Sequence, residues 1–223
     1  MTSHDLSHWE PRELPGRNAI TGDHVRVEPV RDARRFAELH AAFGGNDRLW
    51  DYLAYGPFAD AEDFGRFANA TYLGSDPMFH AIVPLASNRA EGVAALMRLD
   101  PANGVAEIGH ICLGPALQRT RAATEAFHLL FSRVFDELGY RRLEWKCNDK
   151  NAPSRRAAAR LGFTYEGTFR QHMVTKGRNR DTAWFSIVDG EWPRVKAGFD
   201  AWLRPENFDA SGRQCRSLSQ LRP

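Results

Sequence analysis

A change of hydrophobic period between residues 105 and 148 most restricts what this chain can fold into. Residues 105–113, which follow the turn Pro101-Ala102-Asn103-Gly104, predict a strand, and five apolar side chains then follow at helical spacing. These are Phe127, Leu130, Phe131, Val134 and Leu138. Residues 142–148 predict a second strand. Two strands joined through one helix lie parallel, with a right-handed crossover, so the sequence predicts a parallel pair within a larger sheet.

Short apolar segments between turn residues predict antiparallel strands on either side of that pair. Strands are predicted over 24–28, 79–85, 93–99, 164–176 and 181–188, and helices over 32–43, 61–73, 119–138, 151–161 and 191–203. The predicted fold class is α/β (α+β), with a central mixed, mostly antiparallel sheet of about seven strands and helices on both faces.

The length of 223 residues suits one domain. Residues 1–20 read as an N-terminal arm because they hold Pro11, Pro15 and Gly16. Residues 21–204 are predicted to form the single domain. Residues 205–223 are polar and are expected to form a mobile C-terminal tail.

The composition excludes several classes of function. Thirty basic and 28 acidic residues give a formal net charge of +2, which argues against a nucleic-acid partner. No segment approaches the roughly 20 apolar residues of a membrane helix, and no signal peptide is evident, so a cytoplasmic location is expected. Cys112, Cys147 and Cys215 are odd in number and widely spaced, so we expect neither a disulfide framework nor a metal site.

One strand-to-helix junction carries the strongest chemical signal. The strand over 105–113 ends at Gly114-Pro115, and small residues, Ala122 and Ala123, open the next helix. Unpaired N–H groups and the helix dipole attract anions at such a start. Arg119 and Arg121 add positive charge, so a pyrophosphate would fit. An ordinary helix start with solvated arginines would read the same way.

The segment from Gln118 to Ala123 resembles the pyrophosphate loop of GCN5-related N-acetyltransferases (GNAT), which reads Gln/Arg-x-x-Gly-x-Gly/Ala. Arg121 stands where that loop has its first glycine. A second segment is similar to the branch that resembles ribosomal-protein N-acetyltransferases. It holds Asn151-Ala-Pro-Ser154, then Leu-Gly-Phe and Glu-Gly ending at Gly167. Together the two segments cover about residues 105–167.

The resemblance implies a GNAT fold whose central parallel strands splay apart to hold acetyl-CoA. Its pantetheine would pair with the backbone of Ile111, Cys112 and Leu113. Its pyrophosphate would lie on Gln118, Arg119, Thr120, Arg121, Ala122 and Ala123, and Asn148, Asn151 and Ser154 would complete the cofactor site. A primary amine, on a protein N-terminus or a small molecule, would attack the thioester directly in a ternary complex. Relatives in this branch are often dimers, so a homodimer is one expectation.

The same resemblance suggests catalytic roles. Ser154 would protonate the departing thiolate, and Asn151 would position the cofactor, although both residues also suit a helix cap. Glu107, His110 and His172 are candidate bases for the amine, unless a water chain serves instead. Glu107 and His110 are three residues apart on one strand, so they are expected to point to opposite faces.

Several alternatives stay open at this point. Cys112 could hold the acetyl group covalently or simply pack in the core. Trp50, Tyr52, Tyr55, Phe58 and His172 could wall the acceptor pocket, or the aromatic residues among them could pack a helix pair. Arg170, His172, Lys176, Arg178 and Arg180 could form a basic rim or a solvated face. Finally, a catalytically degenerate acyl-CoA-binding sensor or interaction domain would carry the same motifs.

Overall fold

The computed structural model describes residues 5–223 and contains one eight-stranded sheet. The strands are β1 (Ile20–Thr21), β2 (Val25–Pro29), β3 (Met78–Pro84), β4 (Gly92–Asp100), β5 (Val105–Leu113), β6 (Arg142–Asn148), β7 (Thr164–Thr175) and β8 (Arg178–Val188). Their order across the sheet is β1-β2-β3-β4-β5-β6-β8-β7. The predicted fold class is confirmed. The additional strand is β1, whose two residues are too few to show a period.

Helices cover both faces of the sheet. They are α1 (Phe36–Phe43), α2 (Ala61–Thr71), α3 (Arg121–Ser132), α4 (Ala152–Leu161), α5 (Trp192–Leu203) and α6 (Leu218–Leu221). The predicted helix over 119–138 is divided in two. It begins at Arg121 because the Thr120 side chain caps it, and after Ser132 it continues as a π-helical turn. No helix within residues 5–223 is both long and apolar enough to cross a bilayer.

The parallel pair is very short. β5 and β6 are in register over Val105–Glu107 and Arg142–Glu144, and their paired residues within the described chain end there. All other neighbouring strands named above pair antiparallel. The last six residues of β5 therefore bond to β4 on one side and leave their other edge open.

A bulge in β5 lies just beyond the point where the strands separate and adds to their divergence. Ala95 of β4 pairs with Gly109, whereas Val93 pairs with Cys112, so β5 carries one extra residue between these pairs. His110 has a left-handed φ of 50° at this point. An extra residue bends the bulged strand and increases its twist, which turns β5 away from β6.

Two apolar cores lie on opposite faces of the sheet. Beneath α3 and α5 the core includes Leu130, Phe131 and Phe199, all 0% exposed. Beneath α1 and α2 it is built of aromatic rings such as Phe64 and Tyr72. The apolar residues of α5 belong to the first core, so this helix packs on its own chain.

The N-terminal arm is bonded to the domain, although residues 1–4 lie outside the described residues. Tyr140 donates its hydroxyl hydrogen to the Glu13 carbonyl at 3.0 Å. The Arg133 guanidinium, which is fully buried in the π-helical turn, donates to the carbonyls of Gly16 and Asn18. The arm therefore supplies the acceptors that this buried charge requires.

The expectation of a mobile tail after Pro205 is wrong. Asn207 bonds across the segment to Trp202 and Arg216, and a capping box at Ser217 starts α6. Leu218 is 1% exposed against the main core. Arg222 donates to the last carbonyls of α4. Polar composition concealed one buried leucine and a set of side-chain caps.

Replacing that leucine should cost stability. We expect Leu218→Ala to lower the free energy of unfolding by about 2–4 kcal/mol, because it opens a cavity in a closed part of the core. Urea titration followed by circular dichroism measures this. Ser219→Ala, an exposed neighbour, is the matched control and should change it by less than about 0.5 kcal/mol. Equal stability of the two variants would contradict the packed tail.

Candidate functional site

A cavity of about 800 Å³ lies where β5 and β6 separate. Its walls come from both strands, from the starts of α3 and α4, and from β8 and the loop after α1. The site residues predicted from sequence that line it are Glu107, His110, Ile111, Cys112, Leu113, Gln118, Arg119, Asn148, Asn151, Ser154, Tyr52 and His172. Cavities of this size accept small-molecule ligands.

One end of the cavity meets the start of α3. The Thr120 hydroxyl accepts the Ala123 N–H at 3.1 Å and donates to the Leu117 carbonyl at 2.7 Å. This cap leaves the N–H groups of Arg121 and Ala122 without an intrahelical partner. Gln118 and Arg119 form part of the cavity wall, whereas Thr120, Arg121 and Ala122 line a second cavity of about 600 Å³ and Ala123 lines neither.

The Arg121 side chain turns away from this loop. Its guanidinium lies 3.4 Å from the ring centroid of Phe208, in the C-terminal segment. Arg121 is also the first residue of α3 and has no left-handed φ. Its position therefore needs no glycine for conformational reasons. The left-handed residue of the loop is Arg119, with φ of 63°.

The start of α4 forms the opposite wall. The Asn151 side chain accepts the Ser154 N–H at 3.1 Å, which is the predicted helix cap. The Ser154 hydroxyl accepts a hydrogen bond from the Trp145 indole at 3.0 Å. Because the indole supplies the donor, the hydroxyl keeps its own hydrogen for another partner.

The cysteines near the cavity are poor nucleophiles. Cys112 is 3% exposed, and burial raises the pKa of its thiol to about 12. Burial also raises the pKa of Cys147. Both thiols are therefore protonated at neutral pH, and thiolate is the nucleophilic form.

His110 and Glu107 both line the cavity, so the prediction that they point to opposite faces is wrong. The alternation rule fails because the extra residue of the β5 bulge lies between them. The His110 Nδ1 atom is 3.2 Å from the Tyr55 hydroxyl, and the two rings are stacked. Burial, and then the charge of Arg98, lowers the pKa of His110, so its imidazole is neutral at pH 7.

Glu107 is held in an ion-pair cluster. Its Oε2 atom is 3.0 Å from Arg98 Nη1 and 2.9 Å from Lys146 Nζ. The side chain of Lys146 is 6% exposed and bonds also to Glu144. Because the Glu107 carboxylate is already engaged by two cations, the geometry favours His110 over Glu107 as a base.

The predicted acceptor wall divides into two groups. Tyr52 and His172 line the cavity, and Tyr55 reaches it through His110. Trp50 and Phe58 do not line it. They stack edge to face with their ring centroids 5.0 Å apart and belong to the α1–α2 core, as the packing alternative expected.

The sequence analysis missed several charged residues of this site. Arg98 and Lys146 were not singled out, and Arg180 was considered only as part of a rim. Arg98 sits on a second bulge, in β4, with φ of 49°. Asp76 holds that bulge through the N–H groups of Arg98 and Leu99. Periodicity gives no sign of a bulge, so no sequence signal pointed to Arg98.

The residues present fit acetyl-CoA. The open edge of β5 offers unpaired backbone groups to an amide-containing arm. The first turn of α3 offers free N–H groups next to Arg119, which suits a pyrophosphate. The cavity contains the open edge of β5 and Arg119, whereas the free N–H groups of Arg121 and Ala122 follow that arginine directly in the chain and border a second cavity. A single long ligand would therefore run along β5 and pass over Arg119 to reach the start of α3.

Comparisons with known proteins agree with this geometry. Residues 24–164 match the family model described as acetyltransferase (GNAT) domain. A GCN5-related N-acetyltransferase structure from Brucella melitensis is 48% identical, with a TM-score of 0.95 over 97% of this chain and 99% of that one. An uncharacterized N-acetyltransferase, p20, from Bacillus licheniformis is 28% identical over 70% of this chain and 89% of its own length.

Two further relatives have informative names. The "Putative ribosomal N-acetyltransferase YdaF" of Bacillus subtilis is 30% identical over 47% of this chain and 57% of its own length. A structure of the microcin C7 self-immunity acetyltransferase MccE, in complex with acetyl-CoA and AMP, shares the fold. It is 24% identical, with a TM-score of 0.65 over 75% of this chain and 93% of that one. On the family match and the fold together, this chain belongs to the GNAT acetyltransferase family.

Proposed function

We propose that this protein transfers an acetyl group from acetyl-CoA to a primary amine by direct attack in a ternary complex. One observation carries the proposal above all others. The open edge of β5 leads to Gln118 and Arg119, which lie directly before the start of α3, and His110 lines the same cavity. A donor of acetyl groups and an amine can therefore meet within one site.

The chain's own residues would hold the cofactor, which supplies an acetyl group activated as a thioester. The backbone of Ile111, Cys112 and Leu113 would pair with the pantetheine arm. Residues 118–123 would bind the pyrophosphate through N–H groups and Arg119. Asn148, Asn151 and Ser154 complete this wall, and Asn151 fixes Ser154 through the helix cap.

Ser154 would supply the proton for the leaving sulfur. Its Oγ atom already accepts from Trp145, so the hydroxyl hydrogen is directed to a different acceptor. Because Trp145 is 4% exposed and cannot move freely, the orientation of Ser154 is fixed before any ligand binds.

His110 would take the proton from the amine. If His110 Nδ1–H donates to the Tyr55 oxygen, the Nε2 lone pair is left as the acceptor. Burial raises the pKa of Tyr55, so its phenol stays neutral and the contact persists. A neutral imidazole at pH 7 is the form that general-base catalysis needs.

The acceptor is a protein N-terminus or a small amine. The name of the Bacillus subtilis relative supports the first, and the complex of the MccE acetyltransferase with AMP shows that this fold also serves proteins that bind nucleotides. A homodimer and a cytoplasmic location, both expected from the sequence, stay predictions.

Calorimetric titration with acetyl-CoA, followed by amine-dependent thiol release, tests the function. We expect micromolar binding, equal in wild type and Arg121→Gly because Arg121 faces Phe208. Ser154→Ala should bind acetyl-CoA equally and lower kcat by about 100-fold, the usual contribution of a positioned acid. Absence of binding would overturn the enzyme proposal. Binding without turnover of any amine would favour the acyl-CoA-binding sensor.

The pH dependence of kcat/KM tests the role of His110. Because the pKa of His110 is lowered, the wild-type rate should stay constant down to below pH 6.5 and then fall as the imidazole is protonated. His110→Gln should lose that acid limb and about 100-fold in rate. His172→Gln is the matched control and should keep the limb. An unchanged pH profile in His110→Gln would show that water, and not His110, accepts the proton from the amine.

Substitution and chemical labelling of the cysteines distinguish direct attack from a mechanism with a covalent acetyl-enzyme. We expect Cys112→Ala to retain kcat within a few-fold, because a thiol with a pKa of about 12 is not nucleophilic at neutral pH. Iodoacetamide at pH 7.5 should label the exposed Cys215 and leave Cys112 and Cys147 unmodified. Mass spectrometry reads both results. An acetylated Cys112 after incubation with acetyl-CoA alone would refute direct attack.

A further inference from the structure

Three cationic side chains line the cavity in the neighbourhood of Glu107. Arg98, Lys146 and Arg180 all line this region, together with the carboxylate of Glu107. Arg98 and Lys146 both bond to the same Oε2 atom of Glu107. Lys146 has a second partner in Glu144, so Glu107 and Glu144 satisfy Arg98 and Lys146 between them.

Arg180 forms no ion pair with Glu107 or Glu144. Its Nε atom is enclosed and has no hydrogen-bond partner within residues 5–223. Burial is the main reason that the pKa of the Arg180 guanidinium is lowered; the carboxylate of Glu107 acts against this shift, and the charge of Arg98 adds to it. A half-buried arginine without a partner is unfavourable unless an anion reaches it.

The fold holds both arginines in place. Arg98 projects from the β4 bulge, whose N–H groups are fixed by the Asp76 carboxylate at 2.8 and 3.1 Å. Arg180 lies on β8 opposite Met173, where β7 carries two extra residues. The N–H of Gln171, which has a left-handed φ of 50°, donates to Asp181 and fixes that second irregularity. Strain of this kind is retained where surrounding bonds enforce it.

The phosphates of the cofactor do not account for these arginines. Arg98 lies next to Glu107, near the start of β5, whereas the anion-binding loop follows Leu113. Six strand residues span roughly 20 Å at about 3.3 Å per residue. Arg119 already serves the loop end of the cavity. Arg98 therefore needs a different anion, and Arg180 can reach the same anion because its guanidinium lies close enough to Glu107 and Arg98 for their charges to act on it.

Resting on the proposed function, we propose that the acceptor carries a carboxylate within a few bonds of its amine, and that Arg180, with Arg98 beside it, binds this carboxylate. Arginine suits the task because its planar guanidinium binds a carboxylate through two parallel hydrogen bonds. Such binding would hold the amine beside His110. Free amino acids and acidic protein N-termini share this chemistry.

Pairs of acceptors that differ in one carboxylate test the proposal and distinguish free amino acids from acidic protein N-termini. One arm compares amino acids with their α-amides. The other compares C-terminally amidated tetrapeptides that begin with Asp or Glu with those that begin with Asn or Gln. We expect kcat/KM to favour the acid by at least tenfold in one arm, even though the α-amides offer the less basic amine. Equal rates for acid and amide in both arms would overturn the proposal and leave acetyl transfer itself established.

Variants then assign the contact. Arg180→Gln should raise KM for the carboxylate acceptor about 10-fold to 100-fold, which is the usual contribution of hydrogen bonds to a charged group. It should leave the amide acceptor and the Kd for acetyl-CoA unchanged, and Arg180→Lys should partly restore the wild-type KM. Arg178→Gln removes the same charge from an exposed position on the same strand and should have no effect. Equal losses for acid and amide acceptors in Arg180→Gln would show a structural role instead.

An assay of thiol release distinguishes failure of the proposed function from failure of this inference alone. No release with any amine defeats the proposed function and this inference with it. Release without preference defeats only the inference. A preference that survives Arg180→Gln and is lost in Arg98→Gln would move the carboxylate contact to Arg98 and overturn the assignment to Arg180.

Discussion

The whole site depends on the hydrogen bonds that β5 does not make. The strand pairs with β6 over three residues and then diverges, with the His110 bulge just beyond that point. A parallel pair in full register would have closed the sheet and buried its backbone groups. Because the bulge is enforced by the pairing of β4 and β5, the gap exists without a ligand. The cofactor would therefore meet a preformed edge and would not have to separate two strands.

The bulges also decide which side chains face the gap. Arg98, His110 and Gln171 each adopt a left-handed φ that is uncommon for residues with a side chain. Each lies at a register shift in a strand that borders the cavity. Irregular backbone at the centre of a regular sheet is typical of sites where side chains must be re-aimed. The surrounding core, with many residues fully buried, holds these positions against relaxation.

These same features set the limit of prediction from sequence. β5 and β6 were predicted to the residue, because the alternation in β6 records its burial and turn residues bound β5 on both sides. An inserted residue leaves no periodic trace, so the shared face of Glu107 and His110 was missed. Trp50 and Phe58 were ambiguous because an aromatic ring suits a pocket and a core equally. The fold of the tail was hidden because one buried leucine among polar residues has no pattern.

The contact between Arg121 and Phe208 joins two parts of the chain that are far apart in sequence. Phe208 packs in turn on Trp202 of α5, and Arg222 bonds to the end of α4. The loop proposed to bind the pyrophosphate is thus supported by contacts with the C-terminal segment. A protease that trims this segment would therefore lower the stability of the domain, because Leu218 packs in the main core, and would leave the ligand-binding groups of the loop in place.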